Sequence, residues 1–284
     1  MLMSNLRLYL RMTRLAAVLA VGTLLAAFLV PVERLTRRDL TGLRQRLTRW
    51  WLARLGNALP FRVRVQGQLP RKPMLWLSNH ISWTDIPLIG MLAPLSFLSK
   101  AEVRTWPVAG WLAHKAGTLF IRRGAGDGGL LNQQLGRHLG GGRHLLIFPE
   151  GTTCDGAALR TFHGRLLSSA IESGIDLQPV AIRYVRDGQR CSVAPFIGDD
   201  DMLSHLLRLM KSDVAEVQIQ LLEPIASNSG NRNELARRAQ AAISEALYGV
   251  QQPEAQAAAR SRLTIFRNPF SSAHAIPATA WERL

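Results

Sequence analysis

The stretch 76-WLSNHISWTDIPL-88 begins as a strand and ends as a helix, and that change sets how the rest of the chain is read. The run 74-MLWLS-78 is short and apolar, as a buried strand is. Thr84 reads as a helix N-cap, with Asp85 and Pro87 in the first turn, where proline is tolerated. His80 then falls on the strand-to-helix turn. Positions five apart on a regular helix point about 140° away from each other, so His80 and Asp85 meet only across such a turn. Meeting there, the carboxylate reaches Nδ1, fixes the imidazole tautomer and leaves Nε2 as a base. Taken alone, the stretch favours a plainer reading: a loop histidine, and an aspartate that suits the helix dipole.

Outward from this turn, short apolar runs alternate with helical segments. Strands are expected at 61–66, 74–78, 95–99, 118–122, 144–148, 179–185, 191–196 and 216–222, and helices at 84–92, 107–115, 128–138, 164–173, 200–211 and 232–248. This interleaving predicts one α/β domain over 59–248, with a mixed, largely parallel sheet flanked by helices. Residues 249–284 turn Ala/Gln-rich and then irregular, which reads as a loose tail.

Residues 1–58 read as membrane-anchoring helices that precede the domain. The run 15-LAAVLAVGTLLAAFLV-30 is uncharged; sixteen helical residues reach about 24 Å, short of a hydrocarbon core of about 30 Å. Phe28-Leu29-Val30-Pro31 is a poor signal-peptidase site. A spanning helix over about 15–32, extended through Pro31 and Val32, and a partly inserted one both remain open. In 37-RRDLTGLRQRLTRWWLARL-55, Leu40, Leu43, Leu47, Trp50, Trp51 and Leu55 recur near helical spacing, with arginines between them. This basic amphipathic helix (about 37–56) suits an anionic membrane surface. The arginine excess after the apolar run places the domain on the cytoplasmic face of the inner membrane.

The 284 residues carry a formal net charge of +15, which attracts polyanions without choosing among them. Nucleic acid is not the expected partner, because no finger or RNA-binding signature occurs. Cys154 and Cys191 form no metal-ligand cluster and point to a reduced compartment.

Three further segments change the weight of His80 and Asp85. Asn79-His80-Ile81-Ser82-Trp83-Thr84-Asp85 spells N-H-x4-D, 117-GTLFIRR-123 fits G-x-x-F-I-x-R, 148-FPEGT-152 follows, and 179-PVAIRY-184 is a strand carrying a proline. In this order, over residues 75 to 185, the chain resembles the glycerolipid acyltransferase family typified by lysophosphatidate acyltransferase. The resemblance implies the fold of that family, with His80 as general base and Asp85 as its orienting carboxylate. It implies Arg123 as receptor of the acceptor's phosphate, with Lys100 a second candidate, and Glu150, Gly151 and Thr152 in the acceptor site. Locally, Arg123 beside 124-GAGDGG-129 is also a natural anion receptor, and Pro149 and Gly151 force a turn that projects Glu150 from the sheet edge.

The reaction so implied moves a fatty acyl group from acyl-CoA or acyl carrier protein to a lysophospholipid hydroxyl. No metal or other cofactor is expected. The first-ranked acceptor is 1-acyl-glycerol-3-phosphate; the runner-up is a lyso-ornithine lipid. Two departures keep the runner-up in play: Thr153 stands where the family commonly has arginine, and Arg122 where it commonly has aspartate. A non-catalytic membrane lipid-binding protein is the alternative of a different class, and thioester-dependent turnover would exclude it. Gly124, Gly126 and Gly129 also spell G-x-G-x-x-G, with Glu150 about twenty residues on. That dinucleotide reading explains fewer residues and sets Asp127 against a pyrophosphate.

Overall fold

The computed structural model describes residues 2–121, 128–249 and 264–265. Two helices come first, α1 (Leu2–Thr36) and α2 (Thr41–Ala58). The domain then runs β1 (Phe61–Gln66), β2 (Leu75–Ser78), α3 (Asp85–Gly90), β3 (Leu95–Lys100), α4 (Ala109–Lys115), β4 (Leu119–Ile121), α5 (Gly128–Gly140) and β5 (His144–Ile147). It continues with α6 (Ser168–Glu172), β6 (Leu177–Arg186), β7 (Gln189–Arg190), α7 (Met202–Lys211), β8 (Ala215–Leu221), α8 (Arg232–Tyr248) and β9 (Thr264–Ile265).

The sheet has the order β4-β3-β5-β2-β6-β8-β1-β9. Strands β4, β3, β5, β2 and β6 are mutually parallel; β8 meets β6 antiparallel, and β1 follows β8 in parallel. The sheet is therefore mixed and mostly parallel, as the alternation of strands and helices predicts. Side-chain alternation in β2 splits the core into two layers. Trp76 joins Leu52, Leu88 and Ile89 of α2 and α3 on one face. Leu75 and Leu77 join Leu135, Ala170 and Ile243 of α5, α6 and α8 on the other. A strand covered on both faces is largely apolar, and Leu75, Trp76 and Leu77 are all 0% exposed.

Several expectations need correction. The run 191–196 is short and mostly apolar, as a strand is, but forms none: Phe196 N–H donates to the Ile81 carbonyl instead of pairing with a strand, at 3.0 Å. Residues 164–173 divide into a 3-10 turn, Gly164–Leu167, and the short α6. Of the tail, Gly249 caps α8 and Thr264–Ile265 pair antiparallel with β1; the remainder lies outside the described residues.

Helix α1 has 35 residues, starting well before the expected position 15 and passing through Pro31. Asn5–Thr36 is long and apolar enough to cross a membrane, and little of it is buried. Leu10, Leu24, Phe28 and Leu35 are exposed, a surface that suggests membrane association. The opposite side of α1 is fastened to the domain. Leu15 packs with Leu209 and Met210, Arg7 meets Asp213 at 2.6 Å, and Arg11 donates to the Met210 carbonyl at 2.8 Å. The two tryptophans of α2 part company: Trp50 is exposed under the Arg54 guanidinium, while Trp51 turns inward and donates to the Val18 carbonyl at 2.8 Å.

Candidate active site

Strands β2 and β5 are parallel neighbours, so the segments leaving their C-terminal ends emerge side by side. One carries His80 and the other Glu150, at the edge where open α/β sheets bind ligands. At the end of β2 the Asn79 side chain takes over the ladder to β6. Its Nδ2 donates to the Ile182 carbonyl and its Oδ1 accepts from the Ile182 N–H, both at 2.9 Å. The main chain is thereby free to turn.

The turn brings His80 Nδ1 to 2.8 Å from Asp85 Oδ2. The same oxygen accepts the Ile81 N–H at 2.7 Å and the Ser82 N–H at 3.0 Å. Asp85 thus closes the loop that precedes its own helix, which a carboxylate merely favouring the dipole would not do. Thr84, expected as the N-cap, makes no capping bond. Its hydroxyl lies 2.8 Å from the Tyr184 hydroxyl, which in turn donates to Asp85 Oδ1 at 2.5 Å. The His80 ring stacks on Phe148, with centroids 3.8 Å apart and planes at 12°.

Glu150 does not project from the sheet. The turn at Gly151 (φ +74) folds its carboxylate inward, where Oε1 accepts the His80 N–H at 2.8 Å and Oε2 accepts the Arg160 N–H at 2.9 Å. Burial pushes the carboxyl above its ordinary range, and the two amides partly offset this. The Cys154 N–H donates to the His80 carbonyl at 2.8 Å, and burial raises its thiol to about 11. Thr153, which replaces a basic residue of the family pattern, donates its hydroxyl to the Phe196 carbonyl at 2.5 Å.

His80, Lys100, Glu150, Gly151 and Thr152 all line one cleft of about 1720 Å³. Arg123 and Arg122 lie outside the described residues, as does most of the glycine-rich run. The sequence reading missed Tyr184 and Thr84, which meet Asp85 or its partner from about a hundred residues apart, and Phe148 beneath the imidazole. It also missed Arg160 and Arg165 on the cleft wall, together with Glu102 and Asp155, all exposed. A basic pair seven and twelve residues beyond the missing arginine at 153 was the available signal.

A family model described as Acyltransferase matches residues 61–183, which hold the histidine turn, the Glu150 turn and most of β6. The chain is 63% identical over 251 residues to the lyso-ornithine lipid O-acyltransferase of Pseudomonas aeruginosa, covering 88% of this chain and 97% of that relative. The chain belongs to the acyltransferase family. This acyltransferase is also 30% identical over 168 residues to the 1-acyl-sn-glycerol-3-phosphate acyltransferase of Neisseria gonorrhoeae, covering 58% of this chain and 66% of the relative. Its fold matches the crystal structure of the 1-acyl-sn-glycerophosphate acyltransferase of Thermotoga maritima with a TM-score of 0.56. That match has 20% identity and spans 84% of this chain and 96% of the other.

Proposed function

We propose that this acyltransferase moves a fatty acyl group from an acyl thioester to the free hydroxyl of a lyso-ornithine lipid. The observation that carries the chemistry is the 2.8 Å contact of His80 Nδ1 with Asp85, on the wall of a large cleft. Nδ1 is committed, so Nε2 is the nitrogen left to take the acceptor's hydroxyl proton. The oxygen attacks the thioester carbonyl as the proton leaves, and a tetrahedral oxyanion forms. Asp85 stabilises the imidazolium. The oxyanion collapses, the carbon–sulfur bond breaks, and the imidazolium returns its proton to the departing thiolate. The acceptor's hydroxyl stands where a hydrolase has its serine, so no acyl-enzyme forms.

The amides of His80, Ile81 and Ser82 are all bonded to carboxylates, so none of these three is left for the oxyanion. We assign that role to the N–H groups of Thr152 and Thr153, which make no hydrogen bond among the described residues and belong to the cleft wall.

Two observations favour the lyso-ornithine acceptor over 1-acyl-glycerol-3-phosphate, the acceptor that the motifs rank first. One is the 63% identity to a lyso-ornithine lipid O-acyltransferase along nearly its whole length. The other is the charge of the cleft. Lys100, Arg160 and Arg165 share it with Glu102 and Asp155, and none of the five enters an ion pair among the described residues. Open charges of both signs suit a headgroup with a carboxylate and an ammonium better than a phosphate dianion. The donor is acyl-CoA or acyl carrier protein, the only co-substrate of the reaction as drawn. The exposed apolar side of α1 and the arginines of α2 hold the enzyme to the cytoplasmic leaflet.

The test is turnover of a labelled acyl thioester by purified protein with lyso-ornithine lipid and lysophosphatidate side by side. We expect higher kcat/KM with lyso-ornithine lipid. A preference for lysophosphatidate would overturn the acceptor assignment, and no turnover with any lysolipid would overturn the reaction.

A further inference from the structure

We propose that Tyr184 and Thr84 are positioning residues for acyl transfer: a chain of hydroxyls, Thr84 to Tyr184 to Asp85, that holds the Asp85 carboxylate aimed at His80. The inference rests on the general-base reading of His80. The two oxygens of Asp85 have different duties. Oδ2 takes three donors, His80 Nδ1, Ile81 N–H and Ser82 N–H. Oδ1 has one described partner, the Tyr184 hydroxyl. An ionised carboxylate only accepts, so the phenol proton points to Oδ1. The phenol oxygen then has lone pairs to offer, and Thr84 donates to it at 2.8 Å. All three groups are buried, Thr84 and Asp85 at 0% exposure and Tyr184 at 2%.

Tyr184 is held for this task. It sits on β6 and packs edge-on to Phe61 of β1, with centroids 5.1 Å apart. Burial first, and the Asp85 carboxylate second, raise its phenol well above the ordinary value, so it stays a donor throughout the working range of an enzyme. The titratable groups around the chain are His80, Asp85, Glu150, Cys154 and Cys191. None is a permanent cation, so among these neighbours the negative charge of Asp85 is balanced by hydrogen bonds alone until His80 takes its proton.

The consequence for pH has one sign. Without the phenol, the Asp85 charge is less well solvated, and the His80–Asp85 pair takes up a proton more readily. A protonated pair cannot act as base, whichever of its two members holds the extra proton. The acid limb of the kcat profile therefore moves to higher pH.

The experiment compares Y184F, T84V, T84S and H80A with the wild type, reading kcat, both KM values and the acid limb. We expect Y184F to lose about tenfold or more in kcat, the size of a lost hydrogen bond to a charged group. Both KM values should stay within about twofold, and the limb should rise. T84V should raise the limb by less, and T84S, which keeps the hydroxyl, should restore it. A folded Y184F with an unmoved limb overturns the proposal, since a purely structural tyrosine would change stability and not the limb. Should Y184F fail to fold, T84V against T84S decides: a limb raised only by valine supports the chain, and a limb raised by neither overturns it. H80A retaining full turnover would instead overturn the general-base reading itself.

Discussion

Within the cleft, Asp85 and Glu150 are buried and each of their four oxygens is hydrogen-bonded, whereas Lys100, Glu102, Asp155, Arg160 and Arg165 are exposed and enter no ion pair among the described residues. One set of carboxylates holds backbone in place; the other charges are open to solvent and, in the proposed function, to the headgroup. A buried charge left unpaired is costly, so the first set tolerates little change. Exposed charges cost little to hold open and lend themselves to discriminating one headgroup from another. Reactivity and selectivity are thus assigned to parts of the cleft with different mechanical freedom.

The contrast can be broken most severely at its fixed end. H80A should lower kcat by about 10²- to 10⁴-fold, measured by single-turnover acyl transfer, with little change in thermal stability. E150Q should come next, although Glu150 is not assigned to the chemistry. Glutamine offers one acceptor where two amides donate, so one N–H meets an NH₂ group. A stability loss of about 1–3 kcal/mol in urea unfolding is expected, with a fall in kcat because the His80 N–H loses its anchor. Unchanged stability would show that the clamp is dispensable.

At the open end the effects shrink and change kind. R160Q and K100Q should each raise KM for the lysolipid by about two- to fivefold, leave kcat nearly unchanged, and lose their effect at high ionic strength. A drop in kcat instead would place these side chains nearer the reacting atoms than the contrast allows. Smallest of all, T153R, which restores the basic residue that the motif commonly carries, should shift the acceptor ratio about twofold toward the phosphorylated lysolipid. No shift would mean that position 153 does not read the headgroup.

Much of this arrangement is legible in the sequence because it is local. Strand β2, the turn and α3 follow from an apolar run, a histidine and a proline within thirteen residues, and the alternation of strands and helices gives the sheet type. What is not legible depends on register. Tyr184 meets Asp85 only because β2 and β6 pair in parallel, Ser78 opposite Val180, which no spacing in the chain announces. The segment 191–196 shows the reverse failure. It is short and mostly apolar, as a strand is, but Pro195 removes a donor and the Pro195 carbonyl is used by buried His205 at 3.1 Å. Its buried residues, Cys191, Ala194 and Pro195, do not follow the period of two that a strand with one covered face would show. The basic pair Arg160 and Arg165 was passed over for a third reason: exposed arginines are common in a chain of this charge, and only the cleft sets them apart.

The amide of Asn79 merits a last consequence. Its side chain occupies a rung that a main-chain unit would otherwise fill, so the sheet continues for one step after its covalent thread has departed. An aspartate there would set a negative oxygen against the Ile182 carbonyl, and a leucine would leave both Ile182 groups unmet. The departure point of the loop is therefore pinned sideways, by a neighbouring strand, and the imidazole inherits that fixity from a residue that never needs to touch a substrate.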